Sequence, residues 1–125
     1  MTEILEIYKC EICGNIVEVL HAAGGTLVCC GEDMVKMEEQ TADYTTEKHV
    51  PVVQEIEGGI LIKVGSVPHP MMDEHYIEFV ELIQGDVIFR RFLKPGMEPE
   101  AEITNPPTTE GKAREYCNVH GLWKN

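Results

Sequence analysis

The sequence has few basic residues, no long apolar run and no start typical of a secreted protein. Ten lysines and arginines stand against 22 aspartates and glutamates, which gives a net charge of −12 at pH 7. A charge of this sign repels phosphate groups, so nucleic acids and anionic membranes are not expected as partners. No apolar stretch approaches the roughly 18 residues that span a bilayer. Because the first residues also lack the basic and apolar regions of a signal peptide, we expect a cytoplasmic protein.

The second two thirds of the chain show the hydrophobic pattern of β-strands. Apolar residues recur with period two, as in Ile60, Ile62 and Val64, which predicts strands rather than helices. Glycine-containing connections at Gly58-Gly59 and Gln84-Gly85-Asp86 predict hairpins. We therefore predict five to seven short strands in a sandwich or barrel. The polar stretch at residues 38–47 predicts a linker or loop, which places the domain boundary near residue 37.

The cysteines are unevenly distributed, with four in the first 30 residues and Cys117 near the end. An odd number does not suit a closed disulfide framework. In a reducing compartment, Cys10-x-x-Cys13 followed by Cys29-Cys30 is typical of a four-thiolate metal site. Adjacent cysteines normally point apart, so the second pair would distort a tetrahedron. Thiolates suit zinc and iron alike, and a reactive dithiol, a vicinal disulfide or buried thiols are the alternatives.

A bound metal would also explain how the N-terminal segment folds. Residues 1–36 contain only two strand-like pieces, Ile4 to Tyr8 and Ile16 to Leu20. Units below about 40 residues usually need a disulfide, a metal or a partner in order to be stable. We expect the metal to supply that stability here.

A second set of metal-ligating residues lies in the predicted β domain. Four histidines fall there, His49, His69, His75 and His120, and Cys117 precedes the last of them by three residues. Each lies at a strand end or in a loop, and loops at one end of a sandwich can bring such ligands together. Imidazole suits borderline metals such as iron, and a thiolate adds a strong electron donor. Spacing alone leaves open scattered surface histidines and a buried cysteine.

Seven sequence words then occur along the chain in a specific order. They are Tyr8-Lys-Cys-Glu-Ile-Cys-Gly-Asn15, Cys29-Cys30, Glu47-Lys-His-Val-Pro51, His69-Pro70, His75-Tyr76, Phe92-Leu-Lys-Pro-Gly96 and Arg114-Glu-Tyr-Cys-Asn-Val-His-Gly121. With these words the whole chain resembles desulfoferrodoxin, the two-domain form of superoxide reductase. The resemblance implies an all-β protein with two irons. Residues 1–37 would form a small desulforedoxin-like domain around an iron held by four cysteines, and residues 38–125 an immunoglobulin-like β-sandwich around the second iron.

The resemblance also implies the roles of individual residues. His49, His69, His75 and His120 would form the equatorial plane of the second iron, with Cys117 as its axial thiolate. The sixth position would stay open for one-electron reduction of superoxide to hydrogen peroxide, which removes superoxide without releasing oxygen.

Two charged residues directly precede the first histidine ligand. The resemblance implies that Lys48 attracts superoxide and helps to organise proton delivery, because a local positive charge must offset the acidic field of the protein. Glu47 would be the carboxylate that takes the sixth position when the iron is ferric.

The resemblance also concerns partners, while functions of other classes compete with it. The family implies a homodimer, and a rubredoxin-type protein is a plausible electron donor. One competing function is a non-enzymatic electron carrier, which would need no open coordination position. Another is a zinc-stapled interaction module, which the unusual cysteine pair and the set of four histidines with one cysteine make less attractive.

Overall fold

The protein consists of β-strands joined by turns and loops. The computed structural model describes residues 1–43 and 48–125. Within those ranges, all regular secondary structure consists of β-strands. This confirms the predicted all-β class. Residue contacts divide the chain into two units, Met1–Glu38 and Glu39–Asn125. In the described ranges no helix is long and apolar enough to cross a membrane.

The first unit contains five very short strands and little apolar core. They are β1 (Ile7–Lys9), β2 (Ile16–Glu18), β3 (Val28–Cys29), β4 (Glu32–Asp33) and β5 (Val35–Lys36). The order β2-β1-β5 forms one antiparallel sheet, and β3 pairs with β4. Among residues 1–38, all of which are described, the buried apolar side chains are Ile7, Cys10 and Val19. So small a core cannot by itself offset the conformational entropy that folding costs.

The second unit is a sandwich of two antiparallel sheets. Its strands, as far as the unit is described, are β6 (Pro51–Ile56), β7 (Gly59–Val64), β8 (Ile77–Gln84), β9 (Val87–Phe92), β10 (Glu100–Thr104), β11 (Lys112–Cys117) and β12 (Gly121–Lys124). One sheet has the order β10-β7-β6 and the other β12-β11-β8-β9. Two packed antiparallel sheets of three and four strands form a β-sandwich, as predicted.

The two predicted hairpins are present. Strands β6 and β7 pair up to Ile56 and Gly59, and Gly58 takes the positive φ of 77° that this tight turn needs. Strands β8 and β9 pair up to Gln84 and Val87. Strand β12 was not predicted, because its four residues follow a glycine turn too closely to show a period.

The core lies between the two sheets and extends to one of the candidate ligands. Alternate residues of the central strands point inward, as period two predicts. The buried cluster comprises Ile60, Ile62, Val64, Ile77, Val80, Leu82, Leu93, Ala101, Ile103, Ala113 and Cys117. Because Cys117 is part of this cluster, its sulfur is held by the same packing that holds the sheets together.

The N-terminal end of the polar stretch predicted as a linker forms hydrogen bonds with strands of the sandwich. Gln40 forms a parallel bridge with Trp123 of β12. The Glu39 carboxylate lies 2.6 Å from Lys112 Nζ and accepts a 3.0 Å hydrogen bond from Arg114 Nη1. Polar composition indicated a loop, but it could not show that these polar groups find partners on β11 and β12.

A buried ion pair lies on the face of the four-stranded sheet that points away from the core. Arg114 Nη2 donates to Glu81 Oε2 at 3.0 Å, and the side chains are 2% and 1% exposed. Arg90 Nε lies 3.5 Å from the other Glu81 oxygen. Breaking a buried pair by removing one partner typically costs about 3–5 kcal/mol, because the remaining charge is left without compensation.

We predict that Arg114→Met lowers the free energy of unfolding of the sandwich by about 3 kcal/mol, since Glu81 stays buried with only Arg90 beside it. Urea unfolding of the metal-loaded protein measures this change. The double variant Arg114→Met/Glu81→Leu should recover most of the loss, because it removes both charges. A double variant as unstable as the single one would contradict this account of the ion pair.

Candidate metal centres

The first cysteine pair is brought together by a tight turn after β1. Cys10 N donates to Asn15 O and Gly14 N donates to Cys10 O, each at 2.9 Å. Gly14 has a φ of 85°, a conformation that L side chains rarely adopt. This turn places Cys13 back beside Cys10, and the backbone N–H of Cys13 approaches Cys10 Sγ to 3.4 Å.

The adjacent cysteines point to the same place because the backbone turns left-handed between them. Cys29 ends β3, and Cys30 has a φ of 54°, followed by Gly31 at 78°. The two sulfurs are 3.9 Å apart. A left-handed conformation costs an L-residue roughly 1–2 kcal/mol. An ion bound to all four sulfurs would supply the stabilisation that this backbone needs.

Distances within the cysteine cluster match a tetrahedral metal site. Cys13 Sγ and Cys29 Sγ are 3.6 Å apart, close to the Cys29–Cys30 separation. Four sulfurs about 2.3 Å from one ion in a tetrahedron would be roughly 3.8 Å from each other. These two separations therefore fit a tetrahedral site, while the backbone at Cys30 takes an unusual conformation.

The close spacing of the cysteines opposes ionisation of Cys29 and Cys30 unless a cation is shared. Hydrogen bonds from the backbone N–H groups of Cys13 and Ile12 lower the pKa of Cys10 to about 6. The neighbouring sulfurs of Cys13 and Cys29 raise the pKa of Cys30 to about 12. One thiolate forms readily while the next is opposed by its neighbours. A shared cation removes that opposition, because metal ligands bind as thiolates.

The four histidines of the second unit form a closed ring of contacting imidazoles. Ring centroids are 4.6 Å apart for His49 and His69 and 4.8 Å for His69 and His75. The circuit closes at 5.1 Å between His75 and His120 and at 4.8 Å between His120 and His49. Four imidazoles that bind one ion in a plane would contact their neighbours in this way.

Cys117 lies within reach of the same point. Its sulfur is 3.6 Å from His69 Nε2 and 3.9 Å from His120 Nδ1. His49 Nε2 and His69 Nε2 are 3.0 Å apart, which is the separation of two nitrogens about 2.1 Å from one ion at a right angle. The ligand atoms of all five residues lie within 4.8 Å of one another. The donor set and its spacing thus fit a metal ion.

Hydrogen bonds orient the imidazoles and join the loops that carry them. His69 Nδ1 lies 2.7 Å from Pro70 O. Since a carbonyl can only accept, Nδ1 carries the proton and Nε2 keeps the lone pair for a metal. Asn118 connects two ligand loops, because its Oδ1 accepts from Tyr76 N at 2.9 Å and its Nδ2 donates to Glu74 O at 3.2 Å.

Trp123 supports the first histidine and could not be assigned this role from the sequence. Its ring stacks on His49 with centroids 4.7 Å apart and an interplanar angle of 15°. Both side chains are almost completely buried. The contact joins β12 to His49, which precedes β6 by two residues. It therefore depends on how the two sheets pack, which no local sequence motif encodes.

The two sides of the ring formed by the four histidines have different environments. Cys117 and His49 are completely buried and His69 is 4% exposed. His75 and His120 are half-buried and therefore reach the surface. Cys117 lies on the side that faces the apolar core, so its sulfur is shielded from water. Among the described residues, His75 and His120 are thus the ligands through which the centre reaches the surface.

The predicted charged residues lie immediately before this ring in the chain. Lys48 is half-buried and adjoins His49. Glu47 lies outside the described residues, so its predicted part as a ligand of the ferric state stays a prediction.

Glu115 is a buried carboxylate that sequence reasoning missed. It lies opposite Val80 and Trp123 in the sheet, so its side chain points into the sandwich. Glu115 is 0% exposed, and neither carboxyl oxygen has a hydrogen-bond partner in the described structure. Burial raises the pKa of Glu115 well above its ordinary value, and the negative charge of Asp43 adds to the rise. Glu115 is therefore protonated in the folded protein under conditions that ionise exposed carboxylates.

We predict that Glu115→Gln changes how the free energy of unfolding depends on pH. A raised folded pKa means that the stability from neutral Glu115 is complete below the pKa of an unfolded carboxyl and is lost as pH rises through the folded pKa. As pH rises from the ordinary carboxyl pKa to the raised pKa of Glu115, the free energy of unfolding of the native protein should therefore fall relative to that of Glu115→Gln. Denaturant unfolding at several pH values, with metal content checked, measures the difference. The exposed control Glu102→Gln should follow the native curve, and a Glu115→Gln curve parallel to it would contradict the prediction.

Comparison with known proteins gives the same family over both units. The family model described as desulfoferrodoxin, N-terminal domain, matches residues 2–37, and the one described as desulfoferrodoxin matches residues 41–125. A desulfoferrodoxin from Desulfarculus baarsii is 53% identical over 124 residues, covering 99% of this chain and 98% of that protein. A superoxide reductase from Pyrococcus horikoshii is 36% identical over 110 residues, covering 74% of this chain and 96% of that protein.

Among solved structures, the superoxide reductase from Treponema pallidum is similar over almost the whole chain. The TM-score is 0.78 at 31% sequence identity, with 97% of each chain covered.

Proposed function

The chain belongs to the desulfoferrodoxin family, and we propose that it is an oxidoreductase that reduces superoxide to hydrogen peroxide at the centre formed by the four histidines and Cys117. The observation that carries this proposal is the closed ring of four imidazoles with a buried thiolate on its core side. A purely structural site is closed by its ligands, whereas a catalytic one keeps a position for substrate. Here the position opposite Cys117 would be the available one.

We assign one iron to each cluster. Residues 1–37 would hold the first through Cys10, Cys13, Cys29 and Cys30, and residues 38–125 would hold the second through His49, His69, His75, His120 and Cys117. Tetrahedral sulfur sites suit iron as well as zinc. The assignment of iron therefore rests on the family and on the second donor set, in which four neutral imidazoles accompany one thiolate.

Ferrous iron in the second centre would supply one electron to superoxide at the open position. Cys117 would be the one anionic member of these five ligands, and its thiolate would donate electron density to the iron. The apolar surroundings of Cys117 hold it in place and keep water from its sulfur. The half-buried His75 and His120 leave the substrate side close to the solvent that supplies the two protons of the product.

Lys48 would attract the substrate anion. The protein carries a net charge of −12, so its long-range field repels superoxide, and a cation beside the centre offsets that field locally. Lys48 adjoins His49 in the chain and is half-buried. We also assign Lys48 a part in organising proton delivery, and Glu47 that of the carboxylate that occupies the sixth position in the ferric state.

The remaining assignments rest on the family. We propose a homodimer, a rubredoxin-type electron donor and a cytoplasmic location. The cysteines fit a reducing compartment, because Cys10, Cys13, Cys29, Cys30 and Cys117 form no disulfide and are all assigned to metal sites.

The yield of hydrogen peroxide tests the proposed reaction. Reduction consumes one electron and two protons per superoxide and gives one peroxide for each, whereas dismutation gives one peroxide for every two. The anaerobically reduced, iron-loaded protein with an electron donor should therefore give the higher yield. The lower yield together with an unaltered rate of superoxide decay would instead support the electron carrier.

We predict that Lys48→Ile lowers the rate of reaction with superoxide by roughly tenfold and weakens its dependence on ionic strength, because local steering is lost. Pulse radiolysis at several salt concentrations measures both quantities, with iron content as a check. Lys63→Ile removes the same charge from an exposed position on β7 and should change the rate only slightly. Equal rates and salt slopes for Lys48→Ile and the native protein would remove Lys48 from the mechanism.

A further inference from the structure

Asp43 holds the backbone at the first histidine ligand. Its Oδ1 accepts hydrogen bonds from His49 N at 2.6 Å and Val50 N at 3.2 Å, and its Oδ2 lies 3.4 Å from Val50 N. Hydrogen bonds from backbone N–H groups to a carboxylate are stronger than those to neutral acceptors. This carboxylate therefore binds the backbone directly after Lys48.

The segment that carries Asp43 is itself attached to β12. Gln40 N donates to Leu122 O at 3.0 Å, and Lys124 N donates to Gln40 O at 2.9 Å. The Gln40 side chain donates to the backbone oxygens of His120, at 2.8 Å, and Leu122, at 3.2 Å. Asp43 thus follows, three residues later, a position fixed on the strand that begins beside His120.

The peptide of Lys48 is confined from a second direction. Gly65 follows β7 with a φ of 82°, and it is buried. A Cβ at this position would clash with Lys48 O and would lie 2.8 Å from Val67 O. Because both contacts are with backbone, the chain at Lys48 packs directly against the end of β7 and has no room to shift in that direction.

We propose that Asp43 is a positioning residue, which fixes the Lys48–His49 backbone with respect to the imidazole ring. One part of this proposal, the effect on superoxide through Lys48, rests on the proposed function. The hydrogen bonds of Asp43 connect the four-stranded sheet, through Gln40 and β12, to the residue that enters the three-stranded sheet at β6. Gly65 supplies the opposing surface, so Lys48 is held between a carboxylate on one side and a backbone contact on the other.

Removing the carboxylate should release this backbone without removing a metal ligand. In Asp43→Ala, the N–H groups of His49 and Val50 lose their acceptor, so they should exchange with solvent roughly tenfold to a hundredfold faster. Asp43→Asn keeps an oxygen acceptor without the charge, so its exchange rates should lie between those of the native protein and Asp43→Ala. The His49 ring should stay in place, because it stacks on Trp123.

Amide hydrogen exchange measured by NMR on the protein loaded with diamagnetic zinc tests the positioning directly. The matched control is Asp86→Ala, which removes the same charge from an exposed turn between β8 and β9. It should leave the exchange of His49 and Val50 unchanged. Equal exchange rates in native protein, Asp43→Ala and Asp43→Asn would overturn the proposal. If Asp43→Ala does not fold, Asp43→Asn alone decides it.

A second measurement tests the consequence for Lys48. In iron-loaded Asp43→Ala with full metal content, the rate with superoxide should fall several-fold and its salt dependence should weaken, as in Lys48→Ile, with Asp43→Asn in between. Faster amide exchange together with a native rate and salt slope would overturn the connection to Lys48. A native protein that does not reduce superoxide at all would refute the proposed function, and the amide exchange would still decide the role of Asp43.

Discussion

Mutual repulsion among closely spaced electron-pair donors is the constraint on which both units depend. In the first unit the sulfur of Cys30 lies 3.9 Å from that of Cys29, and the neighbouring sulfurs make its ionisation unfavourable. In the second unit, two imidazole nitrogens approach to 3.0 Å. Such spacing is favourable when one cation is shared among the donors. Each cluster is therefore a polar centre around which the loops of its unit are arranged.

The two clusters differ in how much the fold depends on them. The first unit has a minimal apolar core, so its four thiolates and their ion would take the place of hydrophobic packing. The sandwich has a continuous core between its sheets, and that core reaches Cys117. Its packing positions ligands from both sheets, since His49 precedes β6 whereas Cys117 ends β11. The first centre thus mainly supports folding, while the second is supported by the fold.

Local patterns in the sequence were sufficient for most strands of the sandwich, whereas the roles of the histidines were inferred from the family resemblance. Period two around Ile62 and the glycine turn at Gly58 depend only on neighbouring residues, so the hairpins could be predicted with limits correct to within a few residues. Contacts between distant segments could not be predicted in this way. The stacking of Trp123 on His49 and the burial of Glu115 arise only when the two sheets pack. The left-handed backbone at Cys30 shows how adjacent cysteines meet, which the spacing alone made improbable.

The bridge between Gln40 and Trp123 also affects how the sandwich meets other protein molecules. An exposed sheet edge offers unpaired N–H and C=O groups, onto which a strand of another molecule can add. The chain entering the sandwich covers part of the β12 edge with its own backbone. At the opposite edge, β9 carries Arg90 and Arg91 in succession. Adjacent charges oppose the stacking of like strands, so both edges of this sheet carry a feature that discourages aggregation.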